Sequence, residues 1–285
     1  MKAFLIIFGL AAGLTWAGSQ GGELYRGLPA FALCAALIFL LQWLAFVPAY
    51  AKQTEKFYDL VGSLTYITAI AFTGLMSAEL GMGSMLIMLC VLMWAARLGS
   101  FLFRRIREDG ADSRFDKIKP SSLLFFRTWN IQGLWVLVTG GAALAALTSP
   151  GGDTLTVWSV AGFFLWLLGF VWEVIADNQK RSFRRKNGSE SFITSGLWAF
   201  SRHPNYFGEI LLWTGIAVMA VPALNGWQYL TLVSPVFVFV LLTRVSGIPL
   251  LERKAKKRWG DNPKYQDYLA NTPVLVPRMQ RSGER

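Results

Sequence analysis

The apolar residues of this sequence are gathered in long blocks that carry almost no charge. Several blocks approach the roughly 20 residues that a helix needs to cross a hydrocarbon layer about 30 Å thick. We predict membrane-spanning helices in the blocks 3–18, 28–50, 59–79, 82–103, 121–148, 154–178, 205–223 and 227–250. The first block resembles the hydrophobic region of a signal peptide, but the next follows so soon that a retained helix is favoured. Either seven or eight spans are therefore expected.

The predicted fold is all-α, a polytopic membrane helix bundle with seven to eight transmembrane helices. We expect a single integral membrane domain over 1–285, with a core at 50–277, N-terminal helices in 1–50 and a cytoplasmic tail at 251–285. Composition agrees, because 54% of the residues are apolar and 16% are charged, against roughly 45–50% and 25% in soluble domains. An intrinsically disordered chain is thereby excluded.

Basic residues are concentrated on one predicted face of the membrane. The formal net charge is +11, and with eight spans most Lys and Arg residues fall in the segments 51–58, 104–120, 179–204 and 251–285. The positive-inside rule places these loops and the C-terminus in the cytoplasm. The charge therefore reflects topology, and no nucleic-acid partner is expected. Both cysteines lie in apolar blocks, which supports neither a disulfide framework nor a metal site.

The only histidine lies where a basic loop meets an apolar block. This polar cluster consists of Arg202, His203, Asn205, Tyr206 and Glu209. Pro204 suits the first turn of a helix, so we predict that a helix begins there. A helix N-terminus beside Arg202 favours an anion such as a phosphate. The alternative is an interfacial anchor with a satisfied histidine.

A second polar cluster immediately precedes the first one. Helical spacing puts Glu173, Asp177, Arg181 and Arg184 on roughly one face. Carboxylates followed by guanidinium groups suit a nucleotide, and a further arginine suits a 2′-phosphate. The sequence has neither the Rossmann glycine fingerprint nor a Walker motif, which excludes those soluble nucleotide sites. A charged loop that binds anionic lipid is the alternative interpretation.

Two further polar groups lie in other predicted cytoplasmic loops. One of them mixes charges of both signs and includes Arg105 and Arg114. The other contains Gln53, Glu55 and Tyr58 between two spans and is followed at membrane depth by Tyr66. Polar groups at membrane depth are costly and often functional. A short solvated connection is the alternative for the second group.

The segment 202–209, together with Ser246–Glu252 and the pair Tyr265 and Tyr268, resembles the steroid 5α-reductase family, and most closely its bacterial branch. The resemblance covers roughly 50–277 and implies a location in the bacterial inner membrane. Sterol C14-reductases and isoprenylcysteine methyltransferases carry a similar Arg-His-Pro-x-Tyr element. The motif therefore indicates the superfamily more strongly than the reaction.

Membership of this family implies a cytoplasm-facing cavity that binds NADPH. It also implies hydride transfer to the β-carbon of a conjugated enone, as in the reduction of a 3-oxo-Δ4 steroid to the 5α product. The positions that match or approach the cofactor site are Arg105, Arg114, Asp177, Arg181, Arg184, Arg202, His203, Asn205, Tyr206 and Glu209. No metal is implied.

The same resemblance implies the residues that meet the substrate. Gln53 and Glu55 resemble the family's Gln-Glu pair, although Thr54 separates them here. Trp94 stands where animal members have a tyrosine, so Tyr58 or Tyr66 would have to supply that hydroxyl. Enone reduction builds negative charge on the carbonyl oxygen, which a positioned acid must neutralise. Glu55 is the leading acid, and we expect burial to raise its pKa.

Two other functions remain open at this stage. One is an S-adenosylmethionine-dependent membrane methyltransferase, because the Arg-His-Pro-x-Tyr element is shared. The other is a non-catalytic membrane protein that binds sterol or lipid. The expected partners are a hydrophobic isoprenoid or lipid enone and the membrane lipid itself, while the oligomeric state and the natural substrate stay undetermined.

Overall fold

The computed structural model describes residues 1–77, 80–109, 112–150, 154–188 and 190–278, except the side chains of Arg105, 107–109 and Ser113. Within these residues, eight helices are long and apolar enough to cross a membrane. This confirms the prediction of an all-α integral membrane protein. The identity of the membrane and the cytoplasmic face stay predictions.

The helices are numbered along the chain. They are α1 (Lys2–Ser19), α2 (Ala30–Ala51), α3 (Tyr58–Met76), α4 (Met82–Asp109), α5 (Ser122–Leu147), α6 (Val157–Asn187), α7 (Pro204–Ala220), α8 (Ser234–Val240), α9 (Ile248–Trp259) and α10 (Pro263–Asn271). A two-residue hairpin pairs β1 (Leu24–Tyr25) with β2 (Leu28–Pro29). Helix α7 begins at Pro204, as predicted from the proline.

The chain divides into two compact units. Unit 1 contains Met1–Phe163 and Ile216–Ser234, and unit 2 contains Phe164–Gly215 and Pro235–Arg285. The prediction of a single membrane domain stays a prediction.

Helix α5 is the central helix of unit 1. Its most apolar stretch is 89% buried, whereas the corresponding stretches of α1 to α4 are 28–39% buried. Interhelical hydrogen bonds connect the packed helices, since Gln42 donates to the Thr65 hydroxyl (2.8 Å) and Trp43 donates to Asn130 (3.0 Å). Lipid tails are as apolar as the side chains, so no hydrophobic driving force brings membrane helices together. Such hydrogen bonds and close packing hold them together instead.

In unit 2, helices α6 and α7 cross at two glycines. A Cβ on Gly169 would lie 2.5 Å from the backbone nitrogen of Leu212, and one on Gly208 would lie 2.7 Å from the carbonyl oxygen of Gly169. Only residues without a side chain permit this approach. Helix α6 also continues to Asn187, well beyond the predicted end at 178, because its polar C-terminal part keeps helical geometry outside the apolar block.

The last apolar block, predicted as one helix over 227–250, is broken into several elements. A 3₁₀ segment (Gly226–Val233) leads into α8, a π-helical turn follows at Leu241–Val245, and α9 begins at Ile248. The break falls at Gly247, where a Cβ would lie 2.6 Å from the carbonyl oxygen of Leu242. Helix α9 then carries most of the charge that was predicted to lie in a tail.

The crossing of α6 and α7 gives a test of the packing. Gly208→Ala should lower the thermal unfolding temperature of the detergent-purified protein, because forcing a methyl group into a filled contact costs about 1–3 kcal/mol. Gly13→Ala on α1 is the matched control, since nothing lies within 4 Å of its position. An unchanged unfolding temperature in the Gly208 variant would contradict the crossing.

Candidate active site

Unit 2 contains a cavity of about 240 Å³. Its walls come from the C-terminal part of α6, the segment 191–203, α9 and α10. The basic residues that line it are Lys180, Arg184, Arg202, Lys254 and Arg258. Its aromatic lining consists of Phe183, Phe192, Trp198, Trp259, Tyr265 and Tyr268. The cavity is therefore strongly cationic with aromatic walls.

Helical spacing explains why the basic residues converge. On α9, Lys254 and Arg258 are four residues apart and so lie on one face, which lines the cavity, whereas Arg253 and Lys257 do not line it; all four residues are exposed. On α6, Lys180 takes part through its ammonium group, which lies 4.4 Å from the ring centre of Trp198. Such a cation–π contact fixes the position of a flexible lysine.

The loop that carries Arg202 and His203 is held by the C-terminal segment. The backbone nitrogen of Arg202 donates to the carbonyl oxygen of Pro273 (2.9 Å). The hydroxyl of Ser201 donates to the carbonyl oxygen of Leu275 (2.8 Å) and accepts from the backbone nitrogen of His203 (3.2 Å). The predicted tail is thus part of the site's framework. Sequence analysis offered no signal for this pairing beyond the two tyrosines of α10.

His203 is a buried neutral base in this wall. It is 6% exposed, and its ring stacks on Tyr206 at a centroid distance of 5.7 Å. Burial lowers the pKa of His203 more than the nearby Glu252 carboxylate raises it, and Lys180 and Arg202 lower it further. Glu252 Oε1 lies 3.5 Å from Nε2 of His203 and 3.2 Å from Nη1 of Arg202.

The predicted cofactor residues of unit 2 separate into two sets. Arg184, Arg202 and His203 line the cavity. Asp177, Arg181, Asn205, Tyr206 and Glu209 are not among its lining residues, and their role as cofactor ligands stays a prediction. On α6, Lys180 lies on the same face as Arg184, four residues later, and so lines the cavity, whereas Arg181 does not. Four lining residues were not predicted as site residues, namely Lys180, Lys254, Arg258 and Glu252, although Glu252 ends the motif Ser246–Glu252 and the spacing on α9 could have indicated Lys254 and Arg258.

Glu55, the predicted acid, is an ion-paired carboxylate in unit 1. It is 4% exposed, and its two oxygens accept from Lys119 Nζ (2.6 Å) and the backbone nitrogen of Asp112 (3.0 Å). Burial alone would raise the pKa of Glu55, but these hydrogen bonds lower it below the usual value. The expected raised pKa is therefore wrong. Gln53 is exposed, has a left-handed backbone (φ 46°), and donates to the carbonyl oxygen of Tyr50 (2.8 Å).

The two candidate tyrosines have different surroundings. The hydroxyl of Tyr58 donates to the carbonyl oxygen of Thr128 at 3.0 Å, so its proton takes part in helix packing. Tyr66 lies edge-on against Trp94, with ring centres 5.2 Å apart, and both side chains are buried. Tyr66 therefore brings a hydroxyl-bearing ring to the neighbourhood of Trp94.

The two predicted cofactor arginines of unit 1 give less information. Arg114 binds the Asp112 carboxylate through Nε at 2.8 Å, and this hydrogen bond raises the pKa of Arg114. The side chain of Arg105 lies outside the described residues. The cofactor roles of both residues stay predictions.

Comparison with known proteins supplies the family. The family model described as "Protein of unknown function (DUF1295)" matches residues 45–272. The rat protein named 3-oxo-5-alpha-steroid 4-dehydrogenase 1 is 30% identical over 120 residues, which cover 41% of this chain and 40% of the rat protein. The bovine protein of the same name is 28% identical over 120 residues, covering 41% of each chain.

A relative whose name indicates a different activity also matches. The protein named Probable O-methyltransferase ustE of Ustilaginoidea virens is 27% identical over 144 residues, which cover 50% of this chain and 47% of the fungal protein. The chain thus spans between two fifths and half of the length of these curated relatives. No solved structure matches the chain.

The family model covers most of the chain, including the motif at 202–209. The chain belongs to the DUF1295 family, and its similarity to the mammalian proteins agrees with the resemblance to the steroid 5α-reductase family that the motif indicated.

Proposed function

We propose that this protein is an NADPH-dependent oxidoreductase that reduces the C=C bond of a conjugated enone in a hydrophobic, steroid-like substrate. The observation that carries the proposal is the cavity of unit 2, where five basic side chains meet aromatic walls. The names of the mammalian relatives support a 3-oxo-Δ4 steroid as the substrate class.

The cavity fits the phosphate-bearing part of NADPH. Phosphate oxygens suit Arg184, Arg202 and Arg258, since guanidinium groups bind them through paired hydrogen bonds. Nε of Arg202 is buried and has no hydrogen-bond partner among the described residues. An unsatisfied buried donor is costly, and a ligand oxygen would satisfy it. A volume of about 240 Å³ is below the roughly 300–1,000 Å³ of complete ligand sites, so it suits one end of the dinucleotide.

The aromatic lining suits the uncharged parts of the same molecule. Phe192 lies against Tyr265 and Trp259, with ring centres 5.0 and 5.6 Å apart. Aromatic faces stack favourably on a nucleotide base. A site that combines aromatic rings with several cations suits a phosphorylated nucleotide.

Tyr66 is the proposed donor to the carbonyl oxygen of the substrate. NADPH, when bound, would supply a hydride to the β-carbon of the enone. The buried Tyr66 hydroxyl would stabilise the negative charge on the carbonyl oxygen and give it a proton, which yields the enol. The enol would then exchange its O–H proton for a proton on the α-carbon, and the tyrosinate would regain its proton from solvent. The apolar surroundings of Tyr66 exclude water and strengthen this hydrogen bond. Glu55 acts as an ionised carboxylate that orders the segment of Asp112 and Lys119.

A second candidate is an S-adenosylmethionine-dependent methyltransferase. The fungal relative and the shared Arg-His-Pro-x-Tyr element favour it. S-adenosylmethionine carries one carboxylate and a positive sulfonium, so it offers the five basic side chains of the cavity much less negative charge than NADPH does. Glu252 and Glu190 pair with Arg202 and Arg258, and the several phosphate charges of NADPH suit this basic lining better than a single carboxylate.

The proposed activity is tested by turnover. Detergent-purified protein should oxidise NADPH in the presence of testosterone or progesterone and yield a product heavier by two hydrogen atoms, identified by mass spectrometry. NADH should support less turnover because it lacks the 2′-phosphate. Methyl transfer from S-adenosylmethionine, without NADPH oxidation, would support the second candidate. Binding of sterol without turnover with either cofactor would support a non-catalytic protein.

The two faces of α9 test the cofactor site. Lys254→Ala and Arg258→Ala should each weaken NADPH binding about ten-fold, because each removes a charge-assisted hydrogen bond to phosphate. Arg253→Ala and Lys257→Ala remove the same charge from the part of the same helix that does not line the cavity and should leave the dissociation constant almost unchanged. Isothermal titration calorimetry measures all four variants. Equal losses from both faces would indicate a general charge effect and contradict the site.

The role of Tyr66 is tested by removing one oxygen atom. Tyr66→Phe should lower kcat by about 100-fold, the lower end of the range for a general acid, and should leave NADPH binding intact. Tyr58→Phe is the control, because its hydroxyl serves packing against Thr128. It should lower the unfolding temperature and preserve turnover. Full turnover in Tyr66→Phe would contradict the assignment.

A further inference from the structure

Among the described residues, Glu252 is the only acidic one that lines the cavity of unit 2; Glu190 pairs with Arg258 but does not belong to the lining. Five basic side chains surround the same space, and Glu252 belongs to none of the cofactor positions implied by the sequence resemblance. A carboxylate in a site for a phosphorylated ligand opposes that ligand by simple charge repulsion. Its presence there therefore calls for a physical reason.

The geometry supplies such a reason. A single oxygen, Oε1 of Glu252, lies 3.2 Å from Nη1 of Arg202 and 3.5 Å from Nε2 of His203. This oxygen is itself buried, as are Nε of Arg202 and Nδ1 of His203, and its contacts with the two residues are electrostatic contacts rather than hydrogen bonds. The carboxylate thus lies between the two neighbouring residues of the motif loop and faces both of them.

The contact restricts two side chains that would otherwise be free to rotate. Arginine loses much of its rotamer entropy when it is held in one geometry. A guanidinium that is already oriented binds a phosphate more tightly, because the ordering has occurred before the ligand arrives. For His203, the negative oxygen 3.5 Å from Nε2 favours ring orientations that keep this nitrogen toward it.

We propose that Glu252 is a positioning residue, which holds the Arg202 guanidinium and the His203 ring in the orientation that receives the phosphates of the cofactor. This inference rests on the proposed function. It assigns Glu252 an effect opposite to that of its charge, because its removal makes the cavity more positive and yet weakens the binding of an anion.

The opposite signs make Glu252→Gln a decisive variant. If Glu252 acted only through its charge, this substitution would tighten NADPH binding. As a positioning residue, it should instead weaken binding about ten-fold, within the coupling expected between residues in one network. Glu252→Asp keeps the carboxylate and should recover part of the lost affinity. Asp267→Asn removes an equal charge from the exposed face of α10 in the same unit and should not change binding.

A double-mutant cycle separates positioning from a general structural effect. The dissociation constant of NADPH is measured for wild type, Glu252→Gln, Arg202→Ala and the double variant, together with the unfolding temperature of each. If Glu252 acts through Arg202, Glu252→Gln should have little further effect once Arg202 is alanine. Full additivity of the two losses would overturn the proposal.

Other NADPH-binding results also decide the proposal. Tighter or unchanged NADPH binding by Glu252→Gln would overturn the proposal even if wild type binds NADPH well. A wild-type protein that binds no NADPH would contradict the proposed function and this inference with it. If Glu252→Gln unfolds, Glu252→Asp decides: affinity below wild type in a folded variant supports positioning, and wild-type affinity overturns it.

Discussion

The close crossing of α6 and α7 is the constraint on which the architecture of unit 2 depends. Gly169 and Gly208 allow backbone atoms to approach where any side chain would collide. From this contact α6 continues past the apolar block to present Lys180 and Arg184, while α7 begins directly after the Arg202-His203 loop. Two helices that meet tightly in their apolar parts thereby bring their polar ends to one cavity.

Both units contain buried or partly buried carboxylates, and in each unit the carboxylate is paired with a basic side chain. In unit 1, Lys119 and the backbone of Asp112 hold the Glu55 carboxylate in its ionised form. In unit 2, the Glu252 carboxylate lies between Arg202 and His203. Paired charges in a low-dielectric environment are held in defined geometries, and unpaired ones are costly. Such geometry suits sites that must recognise a charged ligand.

Sequence analysis found the parts of this structure that depend on local pattern. The apolar blocks predicted the helices, and Pro204 marked the start of α7, because both are local properties of the chain. The C-terminal segment's hydrogen bonds to Ser201 and Arg202 could not be predicted, since they join residues about 70 positions apart. The raised pKa expected for Glu55 failed for the same reason: its partner Lys119 is distant in sequence. On α6, the cavity is lined by Lys180 and Arg184, which are four residues apart, and not by the predicted Arg181.

The central claim is that the cationic cavity of unit 2 binds a phosphorylated dinucleotide. Hydrogen–deuterium exchange on the detergent-purified protein, with and without saturating NADPH, tests it most directly, because bound ligand slows local opening. We expect the backbone amides to exchange more slowly in the segment 191–203, in α9 and at the C-terminal end of α6 when NADPH is bound. NADPH binding without protection of these segments, or protection by S-adenosylmethionine alone, would contradict it.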